Sequence, residues 1–422
     1  MRKRLTWLVG IAVLVSIGLL MACSSKYSSS NNGLVIVPSQ GFDLMQTFSL
    51  DPTNGQIETI SNTNGPTTPG LPSEVVIDPN GAYVFVLTSA VPGVMGTANA
   101  IAVYSVNSDG TLAGPTNYGA CATPTTTAPI CPNPPAALAI DSAGKFLFVT
   151  DGIGGDIWVF SIGSSGSLAL VGGSPFSVPG SLAANTPNLV ALAVSPTTFP
   201  TQFAVCSNQT PPTNENLYVV DSLNNQVWEF GVDSSTGALG NPTGDGSVLG
   251  FATGDVPYGV AVDPCNRFLY VANQRSNNVS AYTMCTPQSI VTCAAQDGTS
   301  QDGSLIQVTG SPYAAALGPG PLTVDPLGSF LYVVDTQANV LSAYKIGAAN
   351  GSLSPLTPAT IATGSNPVGI AIRGDDTWVF VTNNGSTSSG SVSQYSLTPA
   401  TGTLTPLTPI TTYNYPSGVV VK

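Results

Sequence analysis

Glu74 places a carboxylate inside an apolar run, residues 71–77. Comparable runs elsewhere carry Ala137, Ala191, Gly259, Gly369 or Gly418 at the matching place, so a charge projects where the chain otherwise keeps its side chains small. A carboxylate on such a strand must be solvated, paired or used. Its possible chemistry is that of a general base or a cation ligand. Arg275 is the cation that registration of the repeats puts on the same side of the fold. A guanidinium there suits a carboxylate or phosphate through paired hydrogen bonds. The same registration gathers Thr88, Asp151, Asp221, Asn273, Asp335 and Asn383, each at the end of an aromatic and β-branched run, with Tyr258, Asn224 and Asn384 close by. Of these, Asp151, Asp221, Tyr258, Asn273, Asp335 and Asn383 are the ligand-binding candidates. For the Asp and Asn residues the alternative is capping of their own turns by accepting backbone N–H groups. Three carboxylates round one mouth would also suit calcium, but no EF-hand spacing or other metal or cofactor motif accompanies them. The 422 residues include no histidine, which excludes His-dependent triads, His-ligated zinc and His general bases.

The elements that must position these residues recur along the chain. Aromatic and β-branched runs occupy residues 83–86, 146–149, 217–220, 269–272, 331–334 and 378–381. Each follows an apolar strand ending in a turn residue, with a proline six residues before that residue at Pro72, Pro135, Pro257, Pro319 and Pro367; the fourth repeat has Leu189 there. A third strand follows with an aromatic at a fixed place: Phe48, Tyr104, Phe160, Phe230, Tyr282, Tyr344 and Tyr395. A Gly-containing turn and a weaker fourth strand complete each unit. Seven such aromatics predict seven four-stranded antiparallel units. The N-terminal unit, residues 34–60, lacks a first strand, and residues 416–422 repeat the proline and apolar run that it lacks. The expected fold is all-β: a single seven-bladed β-propeller over residues 33–422, closed by pairing of the C-terminal strand with the N-terminal blade. Closure leaves only short, protected strand edges.

The run from Pro257 to Val262, continuing Asp263-Pro264, with Tyr270-Val271-Ala272-Asn273 and a later Gly-Ser-Leu, resembles the YVTN repeat and the lactonase-like seven-bladed propellers, the family that includes 6-phosphogluconolactonase. The resemblance covers essentially all of residues 33–422. It implies opening of a lactone ring, which needs a base to activate water and a group to polarise the carbonyl; Glu74 and Arg275 are the catalytic candidates. A phosphosugar would call for several basic groups, and this acidic face offers one, so another lactone fits better. Because propellers host unrelated functions, the residues themselves favour a surface binding or scaffold module for protein or glycan partners, with an extracytoplasmic lactonase as the alternative.

The ends and the composition bound the rest. Arg2, Lys3 and Arg4 precede an apolar stretch, residues 5–21, and then Ala22-Cys23 followed by serines. This resembles a lipoprotein signal (residues 1–22) cleaved before a lipid-attached Cys23, with residues 23–32 as a flexible Ser/Asn tether. The expected location is the cell envelope, at the outer membrane or cell surface, with the acyl group as the membrane contact. Removal of residues 1–22 leaves seven basic against 22 acidic side chains, a net charge of −15, which argues against nucleic acid as a partner. The ring is expected to be a monomer. Six cysteines remain after Cys23, and their places in the repeat predict Cys121–Cys131, Cys206–Cys265 and Cys285–Cys293 disulfides. Intact-mass analysis of the mature, unreduced chain should therefore show cleavage before Cys23, a diacylglycerol adduct and no alkylatable thiol; a free thiol would break the pairing scheme.

Overall fold

In a computed structural model of the chain, the structure describes residues 33–60, 65–90, 99–118, 134–179, 186–197, 206, 215–240, 249–285, 303–385 and 389–422. The signal, Cys23, the tether and the Cys121–Cys131 loop lie outside the described residues. Seven antiparallel sheets follow one another along the chain. In blade two the order from the centre outward is Leu71–Ile77, Tyr83–Ser89, Ala100–Val106 and Leu112–Tyr118. Three sheets are four-stranded. The other four have five strands because the outermost element is broken in two, both pieces pairing with the third strand. Prolines in these outer segments, such as Pro175 and Pro312, deny the ladder an N–H where an edge tolerates the loss.

Each second strand is apolar over consecutive residues because it is covered on both faces. Phe268–Asn273, Phe330–Asp335 and Trp378–Asn383 are buried at every position. The apolar side chains form seven clusters, and each cluster draws on two neighbouring blades, including blades seven and one. All seven third-strand aromatics are buried in them. Four donate their hydroxyl across the seam to a carbonyl of the preceding blade or its exit: Tyr104 to Thr67 (3.0 Å), Tyr282 to Ala252, Tyr344 to Ala314 (2.5 Å) and Tyr395 to Ala362 (2.6 Å). Second-strand tyrosines reach the other way, Tyr270 to Gly351 O (3.1 Å) and Tyr332 to Gly402 O (2.7 Å). Gly351 has φ +71°, and a Cβ there would meet the Phe268 ring at 2.4 Å, so both conformation and space require glycine.

The ring closes as the sequence predicts. Val420–Val421 pairs antiparallel with Gly33–Ser39, Val421 opposite Val35. Leu34 and Lys422 exchange N–H to C=O bonds of 3.1 and 2.8 Å, and Ser417 N–H donates to Pro38 O at 3.1 Å. Of the predicted disulfides, Cys206–Cys265 is present, with Cα atoms 5.4 Å apart, and ties the first-to-second-strand connections of blades four and five. Cys285 is disulfide-bonded, and Cys293 lies outside the described residues.

The turns between first and second strands repeat one device, an Asp whose carboxylate accepts N–H groups four and five residues on. Asp325 takes Ser329 and Phe330 N–H at 2.6 Å each, and Asp141 takes Lys145 and Phe146. Blade seven departs, with Arg373 in the Asp position and Asp376 in the positive-φ position of the turn (φ 60°). Asp376 is 1% exposed, and neither of its carboxylate oxygens has a hydrogen-bond partner among the described residues. Burial, with repulsion from Asp325 and Asp375, pushes its carboxyl up to about 7. A folded value above the unfolded 3.8 means the native state holds the proton more tightly, so this contribution to stability is present below about pH 4 and lost as pH rises through about 7. Asp376→Asn should therefore stabilise the fold by about 1–3 kcal/mol at about pH 8 and leave it unchanged near pH 4, read from denaturant midpoints at the two pH values.

Candidate functional site

The seven inner strands surround a central channel, each touching the next round the ring. Near their starts six of them carry a register shift against the second strand, between Pro72 and Glu74, Pro135 and Leu138, Leu189 and Ala191, Pro257 and Gly259, Pro319 and Leu322, and Pro367 and Gly369. A β-bulge re-aims side chains, and here residues at the shift, including Ser73, Ala136, Val190, Tyr258 and Val368, line a cavity of about 290 Å³ in the channel. Repeated prolines mark these bulges in the sequence.

The matching small positions pack against the next inner strand. A Cβ on Gly259 would meet Gly320 O at 2.4 Å, and one on Gly418 would meet Val75 at 3.3 Å. Glu74 points the same way, toward blade three, where its Oε2 accepts the Leu138 N–H at 2.8 Å. Inner strands are sheet edges, so this N–H would otherwise face the channel; the carboxylate satisfies it while lining the cavity. Desolvation in the channel wall outweighs this hydrogen bond and pushes the Glu74 carboxyl up to about 7. Tyr258 projects from blade five, across the ring from blade two, and lines the same cavity. Its phenol is pushed up, chiefly by desolvation and also by the charge of Glu74, so it keeps its proton and serves as a hydrogen-bond donor. Ser73 and Ser417 stand on the Glu74 side, and Ser417 Oγ is buried with no hydrogen-bond partner among the described residues.

The other candidates lie elsewhere. Asp151, Asp221, Asn273, Asp335 and Asn383 are buried at the ends of second strands and hydrogen-bonded within their own blades. Asp151 accepts Ile153 and Gly154 N–H at 3.0 and 2.8 Å. Asp221 accepts Leu223 and Asn224 N–H and the Asn224 side chain. Asn273 donates to Asn278 and Ser280, Asp335 accepts from Ser342 at 2.7 Å, and Asn383 donates to Ser391 and Ser393. Asp151 and Asp221 thus cap their turns, while Asn273, Asp335 and Asn383 tie the end of the second strand to side chains of the third. No three His, Cys, Asp or Glu side chains converge as metal ligands among the described residues. Arg275 is exposed at the second-to-third-strand turn of blade five and is not part of the cavity wall. The structure brings Glu74 together with Tyr258 and leaves Arg275 apart.

A seven-bladed propeller with, among the described residues, a single carboxyl on its cavity wall is the class that this fold and site define. The family model described as "Lactonase, 7-bladed beta-propeller" matches residues 28–186 and 288–422, and the chain belongs to that family. Among solved structures it is similar to the periplasmic gluconolactonase of Pseudomonas aeruginosa (TM-score 0.66, 18% identity, 92% of this chain and 98% of that one). It is similar also to a Bacteroides fragilis protein assigned, without proof of activity, as a 6-phosphogluconolactonase (TM-score 0.65, 17% identity, 93% and 99%). A Lactobacillus plantarum protein is alike to the same degree (TM-score 0.65, 16% identity, 93% and 99%). These likenesses concern the fold. No curated protein matches the chain in sequence.

Proposed function

We propose that this protein is an exported lactone hydrolase whose reaction takes place in the channel cavity. The observation that carries the reading is that Glu74, half-buried on the channel wall, lines the same cavity as Tyr258, with desolvation pushing its carboxyl up to about 7. A group with that value is half ionised at neutral pH and can both take and return a proton. In the reaction, ionised Glu74 removes a proton from water as the water oxygen bonds to the lactone carbonyl carbon. The Tyr258 hydroxyl donates to the carbonyl oxygen as it becomes anionic. The ring C–O bond then breaks, and the proton held on Glu74 passes to the departing alkoxide, giving a hydroxy acid. The product carboxylate is repelled by ionised Glu74, which favours release.

Family membership supports this reading over that of a surface scaffold, and the periplasmic gluconolactonase provides a fold precedent outside the cytoplasm. The Cys206–Cys265 bridge also suits export. Glu74→Gln retains an amide oxygen to accept the Leu138 N–H, so it removes the base without removing the tie between blades. In pH-stat assays over a panel of lactones the wild type should show a kcat rising through about pH 7. The variant should lose about 10²–10⁴-fold. Equal rates for wild type and variant, or no turnover of any lactone, would remove the assignment.

A further inference from the structure

The cavity wall is divided. Its polar groups, Ser73, Glu74 and Ser417, come from blades one and two, which are neighbours. The side chains that blades three to seven give to the wall are apolar or aromatic, with Ala136, Val190, Leu192, Tyr258, Pro321 and Val368, although backbone groups add polar surface between them. Among the described residues no Lys or Arg is part of the wall, so none of its side chains neutralises a phosphate or carboxylate, and ionised Glu74 would repel one. Above the apolar wall the mouth continues in the same character. Ile153, Leu223 and Leu317, 68%, 57% and 58% exposed, stand on turns of blades three, four and six at the face where the inner strands begin, and Tyr258, 43% exposed, joins wall to rim. Six of the seven large apolar side chains exposed among the described residues belong to this face, the others being Phe42 and Tyr415; Leu170 alone stands on an outer strand. Exposed apolar groups gathered at a cavity mouth, rather than scattered, indicate a ligand surface.

We infer that the ligand is an uncharged amphiphile: a lactone whose ring lies against Ser73, Glu74 and Ser417, and whose alkyl or aryl substituent runs over Tyr258 toward the blade three to six rim. This rests on the lactonase reading for the reacting group, while the division of the wall sets the ligand's shape and charge. Sugar lactones, polar all round, and phosphorylated ones, doubly charged, are both poor matches.

The test uses the full mature chain and γ-alkyl-γ-butyrolactones from methyl to octyl, beside gluconolactone and its 6-phosphate. The expected kcat/KM rises about two- to fourfold per methylene, and Tyr258→Ser, at an exposed position, lowers the octyl-to-methyl ratio. Turnover that is flat with chain length, or fastest on either sugar lactone, keeps the hydrolase and overturns the amphiphile. If no lactone is turned over, the hydrolase reading falls and the ligand class is decided by calorimetry with 2-alkylcyclopentanones, which have the ring carbonyl and no ester to cleave. A Kd falling with chain length then sustains the amphiphile, and absence of binding overturns it.

Discussion

Every blade of this protein depends on its neighbour for half of its core. The apolar clusters lie between sheets, not within them, and each is built from two successive blades. An isolated four-stranded unit would leave one apolar face in water, so the units are stable only as a ring. The buried tyrosines add direction to this packing. Their rings fill the seam while their hydroxyls find carbonyls of the adjoining blade, which fixes the height at which one blade meets the next. Because the last seam is made by the chain ends, pairing of Val420–Val421 with the first blade completes the same interaction rather than adding a new one.

The site follows from that constraint. Seven blades bring seven inner strands close together, and the crowding explains why most hold Gly or Ala at the position Glu74 occupies. Glu74 is accommodated because its carboxylate reaches over the neighbouring strand to a backbone N–H that the sheet leaves free. One hydrogen bond does not replace full hydration, and the balance is a carboxyl that ionises near neutrality. The raised pKa is therefore a property of the channel wall.

Much of this was legible in the sequence because repetition makes register visible. The third-strand aromatics, the closing strand and the Cys206–Cys265 bridge could each be placed by counting within the repeat. Glu74 stands out in the sequence as a departure from a column of small residues, and register places Tyr258 on the same face. Counting places a residue along a strand but says little about which way its side chain turns. Asp221 and Asp335 are near the mouth in sequence register, yet their turns fold the carboxylates inward to meet nearby donors. Arg275 occupies the tip of its turn, where a long charged side chain gains most by pointing into water. The bulges and the divided outer strands were hidden because both are irregularities of pairing, and a proline in the sequence does not say which partner slips.

The position of Gly33 has a consequence for orientation. It opens the second strand of blade one at the face opposite the cavity mouth, beside Lys422, whose ammonium donates to Gly81 O in a turn on that same face. Any leash ahead of Gly33 thus leaves from the base of the ring. The cavity mouth opens on the other face, away from the point where the chain enters the ring, so whatever precedes Gly33 leaves the mouth unobstructed.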